Sequence, residues 1–210
     1  MRRLAIECAS EACSVALFDG SQLIANAHQE LGRGHAERLI PLIAELPDKG
    51  KADRILVSLG PGSFTGVRIG IAAARALGFA WEAQVLGYPT LALVAVRAWQ
   101  PTPRGVTVCM NAGHGEWFVQ NYAANGEADE ARSLAPEAAK LACQHDTIVG
   151  SRAEQMAALF PEGKRALNLL PDASKIHLLH DSKFTDDLTP IYGREPDAAL
   201  PASSKPTATK

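Results

Sequence analysis

The sequence predicts an α/β fold with mixed sheets in two lobes, and three observations carry that prediction. Short apolar segments joined by hairpin turns open the chain, and strand and helix signals then alternate up to a proline-bearing boundary near residue 102. Beyond the boundary a second pair of antiparallel strands begins. Each element follows from its own residues.

Residues 4–8 (LAIEC) and 14–18 (SVALF) read as strands, and Asp19-Gly20 is a hairpin turn leading to a third, 22–25. Residues 34–46 show helical spacing with Leu39, Leu42, Ile43 and Leu46 on one face and Ile40 beside it. Pro41 within that run removes one backbone bond, which predicts a kink or a late start. After PDKGKAD comes a buried-type strand, 54–59, a glycine-rich turn, and a long helix over about 65–81. A strand at 85–88 follows, and Thr90 is placed to cap a helix over 91–99. Past Pro101-Thr102-Pro103, strands at 106–110 and 116–120 flank Gly113-His114-Gly115. A helix near 136–143, a strand at 147–149, a helix from about Arg152 capped by Ser151 and Glu154, and a short helix over 173–180 complete the pattern. The expected division is a first lobe over 1–100, a smaller second lobe over 101–198 and a disordered polar tail over 199–210.

Composition narrows the function. With 47% hydrophobic and 21% charged residues and a formal charge of -2, the 210-residue chain is globular and has no basic footprint for gripping nucleic acid unaided. No apolar run reaches bilayer length, and Glu7 interrupts the N-terminal apolar stretch, so neither a membrane span nor a signal peptide is expected. Cys8, Cys13, Cys109 and Cys143 form no Cys-x-x-Cys pair and read as small buried residues of a reducing cytoplasm.

The least ordinary stretch is VSLGPGSFTGVRIG, residues 57–70. A strand running through glycines into a helix N-terminus is where many proteins hold phosphate, because N–H groups and the helix dipole converge there. Gly62, Ser63, Thr65 and Gly66 are therefore candidate phosphate or nucleotide contacts. The spacing is nevertheless neither that of a Walker loop nor that of a dinucleotide fingerprint: five residues separate Gly60 from Gly66, and Val67-Arg68 stands where Lys-Ser/Thr is required. In the following helix Gly66, Gly70, Ala74 and Gly78 recur at every fourth position, a ridge without large side chains. Glycine inside a helix costs roughly 1 kcal/mol relative to alanine, so the ridge implies close approach, either to the lobe's own elements or to another subunit.

With IECASEACSVAL (6–17), GRGHAERLIPLI (32–43), GPGSFTGVRIG and PIYGREPDA (190–198) together, the chain resembles the TsaB (YeaZ) family, covered well over the first hundred residues. Members are non-catalytic partners in making threonylcarbamoyladenosine (t6A) at position 37 of tRNA. The resemblance implies an actin-like ATPase (ASKHA) fold of two RNase-H-like lobes with mixed sheets flanked by helices. It implies a heterodimer with the catalytic paralogue TsaD, an ATP-dependent ternary complex with TsaE, a homodimer in isolation, and contact with tRNA only through the complex. In relatives the first-lobe helices form the dimer surface, which would place His35, Leu39, Leu42, Ile43, Gly66, Gly70, Ala74 and Gly78 at the partner interface.

The resemblance also implies no catalytic residue, cofactor or metal. The paralogue holds its metal with two histidines four apart; here His35 matches the first and Leu39 stands at the second. His28 is on another element, and His177 and His180 read as surface polar residues. Ser63 has no nucleophile-elbow or Ser-x-x-Lys context, which leaves a peptidase as a third, weaker reading that would show activity lost on changing Ser63 or His35. Glu7 replaces the family's usual aspartate, and Asn111-Ala112-Gly113 replaces its Asp-Ala-Arg. An enzymatic alternative, a small actin-like ATPase or kinase using the glycine turn, stays open at this point.

Overall fold

The first three strands build the floor on which the rest is laid. In the structure, a computed structural model that describes residues 1–99 and 102–193, β1 (Arg2–Glu7) pairs antiparallel with β2 (Ala12–Asp19), from Arg2 opposite Asp19 to Glu7 opposite Ser14. Both strands are buried on both faces over most of their length. Strand β3 (Gln22–Glu30) runs past the expected end at residue 25, because its polar second half still pairs with β2 as far as Ala12 opposite Glu30. As an edge strand it alternates exposure and needs no apolar run. Strands β4 (Arg54–Ser58) and β5 (Gln84–Tyr88) add in parallel on the other side of β1, giving the order β3-β2-β1-β4-β5.

Helix α1 (His35–Ala44) passes through Pro41 without a late start. Pro41 and Glu37 are both exposed, so the lost bond falls on the solvent side, where the Glu37 carbonyl needs no internal partner. Helix α2 (Phe64–Trp81) starts at Ser63, whose Oγ accepts the Gly66 N–H at 3.2 Å, and ends on Glu82 in the left-handed region. Helix α3 (Thr90–Ala98) corrects the expected cap: Pro89 precedes it, Thr90 is already helical, and the Thr90 N–H donates to the Gly60 carbonyl at 2.8 Å.

The second sheet repeats the first. β6 (Val106–Gly113), β7 (Glu116–Tyr122) and β8 (Arg132–Leu134) form an antiparallel meander, and β9 (Thr147–Val149) and β10 (Arg165–Leu167) add in parallel beside β6. The order β8-β7-β6-β9-β10 matches that of the first sheet strand for strand. Helices α4 (Pro136–Ala142) and α5 (Ala153–Ala157) cover it. The expected capping box fails because Ser151 Oγ accepts the Asn111 N–H at 3.1 Å, which leaves Arg152 as the first residue before α5 without a side-chain cap.

Helix α3 is buried almost throughout and joins the lobes, packing with Phe18, Leu56 and Tyr88 of the first sheet and with Val106, Val108 and Val149 of the second. On the other face of the first sheet, Leu4, Ile6, Val15 and Leu17 pack under α1 and α2. The segment after β10 differs from expectation. Residues Ala173–Leu178 form a 3-10 turn rather than an α-helix, and they lie on the first sheet, where the Ala173 N–H donates to Ser14 Oγ at 3.0 Å. Thr185 then exchanges both backbone bonds with Gly87, the Ile191 N–H donates to the Leu59 carbonyl, and Gly193 accepts from Ser133 of β8. This strap ties the lobes together from a stretch that the sequence assigns to the second lobe alone. Pro101, residues 194–198 of the last motif and the expected disordered tail, 199–210, lie outside the described residues.

Candidate docking face and glycine turn

The glycine turn leans on the short loop between β1 and β2. A Cβ on Gly62 would stand 1.9 Å from the Ala9 carbonyl oxygen, and one on Gly66 would stand 2.1 Å from that of Cys8. Only glycine permits backbone to approach this closely. The Ser63 N–H donates to the Ala9 carbonyl at 2.7 Å, the Gly66 N–H to Ser63 Oγ, and the Val67 N–H to the Ser63 carbonyl at 2.9 Å. Of the residues expected to meet a phosphate, Gly62 and Gly66 thus face the chain's own carbonyl oxygens, and Ser63 and Gly66 have already given their N–H groups. Thr65 lies exposed at the helix start. The glycines serve a close fold-internal contact: of the two objects that the sequence leaves open, the lobe's own elements and another subunit, Gly66 meets the first. Ser63→Ala should remove the cap of α2 and cost about 1 kcal/mol, a melting temperature lower by roughly 2–4 °C for a chain of this size in thermal unfolding.

Glu7, at the end of β1, is fully buried on the face toward the second lobe. Its Oε1 accepts the Ala9 N–H at 2.7 Å, and its Oε2 lies 3.2 Å from the Tyr88 hydroxyl, which is also 3.0 Å from the Ile6 carbonyl. Burial pushes the Glu7 carboxyl up to about 7, against the pull of its hydrogen bonds, and Asp172 adds to the rise. Tyr88 has one proton for two acceptors; when it goes to Ile6, a protonated Glu7 donates to Tyr88 instead. Such a carboxyl is a piece of the core and presents no open carboxylate.

His35 is also inside. Its Nε2 donates toward the carbonyl oxygens of Ser10, at 2.9 Å, and Ala12, at 3.3 Å, which fixes the proton on that nitrogen. Leu39 is fully buried one turn on. Among the described residues no three of His, Cys, Asp and Glu come together as a metal-holding group. His177 and His180 are exposed.

The expected interface residues need a correction of facing. Leu39, Leu42 and Ile43 are at most 3% exposed, and His35 is 6% exposed. Gly66, Gly70, Ala74 and Gly78 are all buried; Gly70 sits over Val57 and Cys8, and a Cβ on Gly78 would meet Val85 Cγ2 at 2.4 Å. The ridge lets α2 settle onto its own sheet, and bulk at Gly70 or Ala74 would press into that core. Outward-facing positions are instead Ala36, Ile40 and Ala44 of α1 and Ala72, Ala76, Phe79 and Ala80 of α2. Ile40 is 50% and Phe79 is 91% exposed, and on the outer face of α2 the only charges are Arg68 and Arg75. Arg68 lies over the exposed Phe64 ring and reaches the Tyr192 hydroxyl of the strap. The sequence carries the signal for this second stripe, since 36/40/44 and 72/76/80 repeat every fourth residue just as the glycine ridge does. Glycine content drew the reading to the inner one.

The family model described as TsaD: tRNA N6-adenosine threonylcarbamoyltransferase matches residues 24–170. Over 129 residues the chain is 39% identical to the tRNA threonylcarbamoyladenosine biosynthesis protein TsaB of Escherichia coli (strain K12), covering 58% of this chain and 55% of that protein. The chain's matches thus span little more than half the length of the first curated relatives. The structure of YeaZ from Pseudomonas aeruginosa superposes with a TM-score of 0.74 at 27% identity, covering 91% of this chain and 99% of that one. At the level of fold alone, the ethanolamine utilization protein EutJ from Carboxydothermus hydrogenoformans superposes with a TM-score of 0.52 at 10% identity, covering 85% and 89%. The two mixed five-stranded sheets with flanking helices are the actin-like arrangement that the resemblance implies.

Proposed function

The chain belongs to the family of TsaD, the tRNA N6-adenosine threonylcarbamoyltransferase, and from that premise we propose that it is a TsaB-type subunit of t6A biosynthesis that docks and orders a catalytic paralogue. One observation carries the docking role: the outer face of α1 and α2 is alanine-rich, bears Phe79 at 91% exposure, and has no partner covering it among the described residues. A row of small residues with one aromatic anchor suits close helix-on-helix packing. Nothing at the glycine turn competes with this reading. Glu7 is locked with Tyr88, His35 donates to loop carbonyls, and the N–H groups of Ser63 and Gly66 are spent within the chain.

In this proposal the partner supplies the reaction. TsaD is the heterodimeric partner, TsaE joins an ATP-dependent ternary complex, and tRNA is met through the complex rather than by this chain, whose formal charge is -2. Without TsaD the same face closes on a second copy. The setting is the cytoplasm, and no helix of the described residues is long and apolar enough to cross a membrane.

Ile40→Glu and Ala76→Arg place a charge in the middle of the face without touching the core. Each should weaken binding to TsaD about thirtyfold, near 2 kcal/mol, while thermal unfolding of the isolated chain stays within about 2 °C of wild type. Titration calorimetry against TsaD, with sedimentation of the chain alone, reads both. Wild-type affinity in both variants would move the interface elsewhere.

A further inference from the structure

The β1–β2 ladder ends with Glu7 opposite Ser14, and the next residue on each side is a cysteine, Cys8 and Cys13, whose sulfur atoms lie 3.5 Å apart. Closing the bond asks the sulfur atoms to approach by about 1.5 Å, which side-chain rotation and a shift of the connecting loop 9–12 supply together. Cys109 and Cys143 share no such ladder position; Cys143 Sγ is turned to Thr107 and the His145 carbonyl.

The loop that this pair would close is the seat of both proposed docking helices. Ala9 accepts the Ser63 N–H, the Cys8 carbonyl lies against Gly66, and the carbonyls of Ser10 and Ala12 receive His35 at the start of α1. The Glu11 carbonyl accepts the N–H groups of Leu31 and Gly32, both at 2.9 Å, just before α1. A shift of the loop carbonyls is passed to the N-termini of α1 and α2 together.

We propose that Cys8 and Cys13 are a reversible thiol–disulfide site, oxidised by a hydroperoxide, whose closure repositions the loop under α1 and α2 and weakens docking. The regulatory half rests on the docking reading above. The hydrogen bond with Cys8 holds the Cys13 thiol below its ordinary value, assisted by Arg38, while Cys8 is held well above its own. Cys13 is accordingly the attacking group and Cys8 the resolving thiol; both are 0% exposed, so the peroxide reaches them as the loop 9–12 opens. The thiolate displaces hydroxide from the peroxide O–O bond to give a sulfenic acid. Cys8 then attacks that sulfur, the S–S bond forms and water leaves. Two thiols and one hydrogen peroxide become one disulfide and two waters, with the two electrons passing to the peroxide.

The test treats the native full-length chain with hydrogen peroxide at neutral pH, followed by denaturation, alkylation and peptide mass mapping. The expected result is the loss of two hydrogens within the peptide holding Cys8 and Cys13, neither of them alkylated, with reversal by dithiothreitol. Cys13→Ser should abolish that loss. Full alkylation of both residues after treatment that oxidises Cys143 would overturn the site. Reduced and oxidised protein are then compared for TsaD affinity by calorimetry, where oxidation should weaken binding about tenfold. Equal affinity would overturn the regulatory role. Failure of both forms to bind would sink the docking reading, with the disulfide judged on the mass map alone.

Discussion

Gly62→Ala and Gly66→Ala each destabilise the chain by about 3 kcal/mol or more, lowering the melting temperature by roughly 6–12 °C in calorimetry. The added methyl would stand 1.9 Å and 2.1 Å from backbone carbonyl oxygens of Ala9 and Cys8. Backbone cannot turn aside as a side-chain tip can, so either α2 lifts from the sheet or the β1–β2 loop moves. The control is Gly70→Ala in the same helix. Its nearest neighbour would be Val57 Cγ2 at 3.4 Å, an ordinary contact, so relief of glycine's cost of about 1 kcal/mol in a helix should leave that variant neutral or slightly more stable. Losses as large at Gly70 as at Gly62 and Gly66 would show that contact with the loop carbonyls is not what makes alanine costly here.

Glu7→Gln should change how stability depends on pH more than it changes stability itself. The carboxyl is 0% exposed and sits near 7, against an ordinary 4.5. Between those values the unfolded chain releases the proton while the folded chain keeps it, so the unfolded state binds fewer protons and stability falls as pH rises. The contribution is complete below pH about 4.5 and lost by pH about 7, amounting to about 3 kcal/mol for a shift of this size. Glutamine keeps the shape and an acceptor for the Ala9 N–H, and its amide can donate to Tyr88 as the protonated acid does. Chemical denaturation at pH 5 and pH 8 should show wild type losing most of that amount, about 2.5 kcal/mol, relative to the variant. Parallel pH profiles would mean that the folded chain carries Glu7 ionised.

Much of the fold is legible because local signals and tertiary context agree. The apolar runs of β1 and β2, the Asp19-Gly20 turn and the spacing of Leu39, Leu42 and Ile43 are each local choices that the finished lobe also favours. Where they disagree, tertiary partners win. Ser151 leaves its capping box for the Asn111 N–H, and Thr90 is absorbed into a helix whose first N–H is taken by Gly60. The 3-10 turn at Ala173–Leu178 and the strap to Gly193 escape a sequence reading because their partners, Ser14, Gly87, Leu59 and Ser133, are all far away along the chain.

The sequence by itself determined that two mixed sheets form, that α2 approaches something closely along Gly66, Gly70, Ala74 and Gly78, and that Leu39, not a second histidine, stands four residues after His35. Periodicity and turn chemistry are short-range, so they can be read along the chain. Only the tertiary structure decided what the glycine ridge approaches and which stripe is left outside. Two stripes of small residues on one helix are equivalent in spacing, and they are told apart by which of them the sheet covers. The loop after β1 and the sheet cover the glycines, since a Cβ on Gly66 would stand 2.1 Å from the Cys8 carbonyl and one on Gly78 2.4 Å from Val85, and Ala76 and Phe79 are left outside.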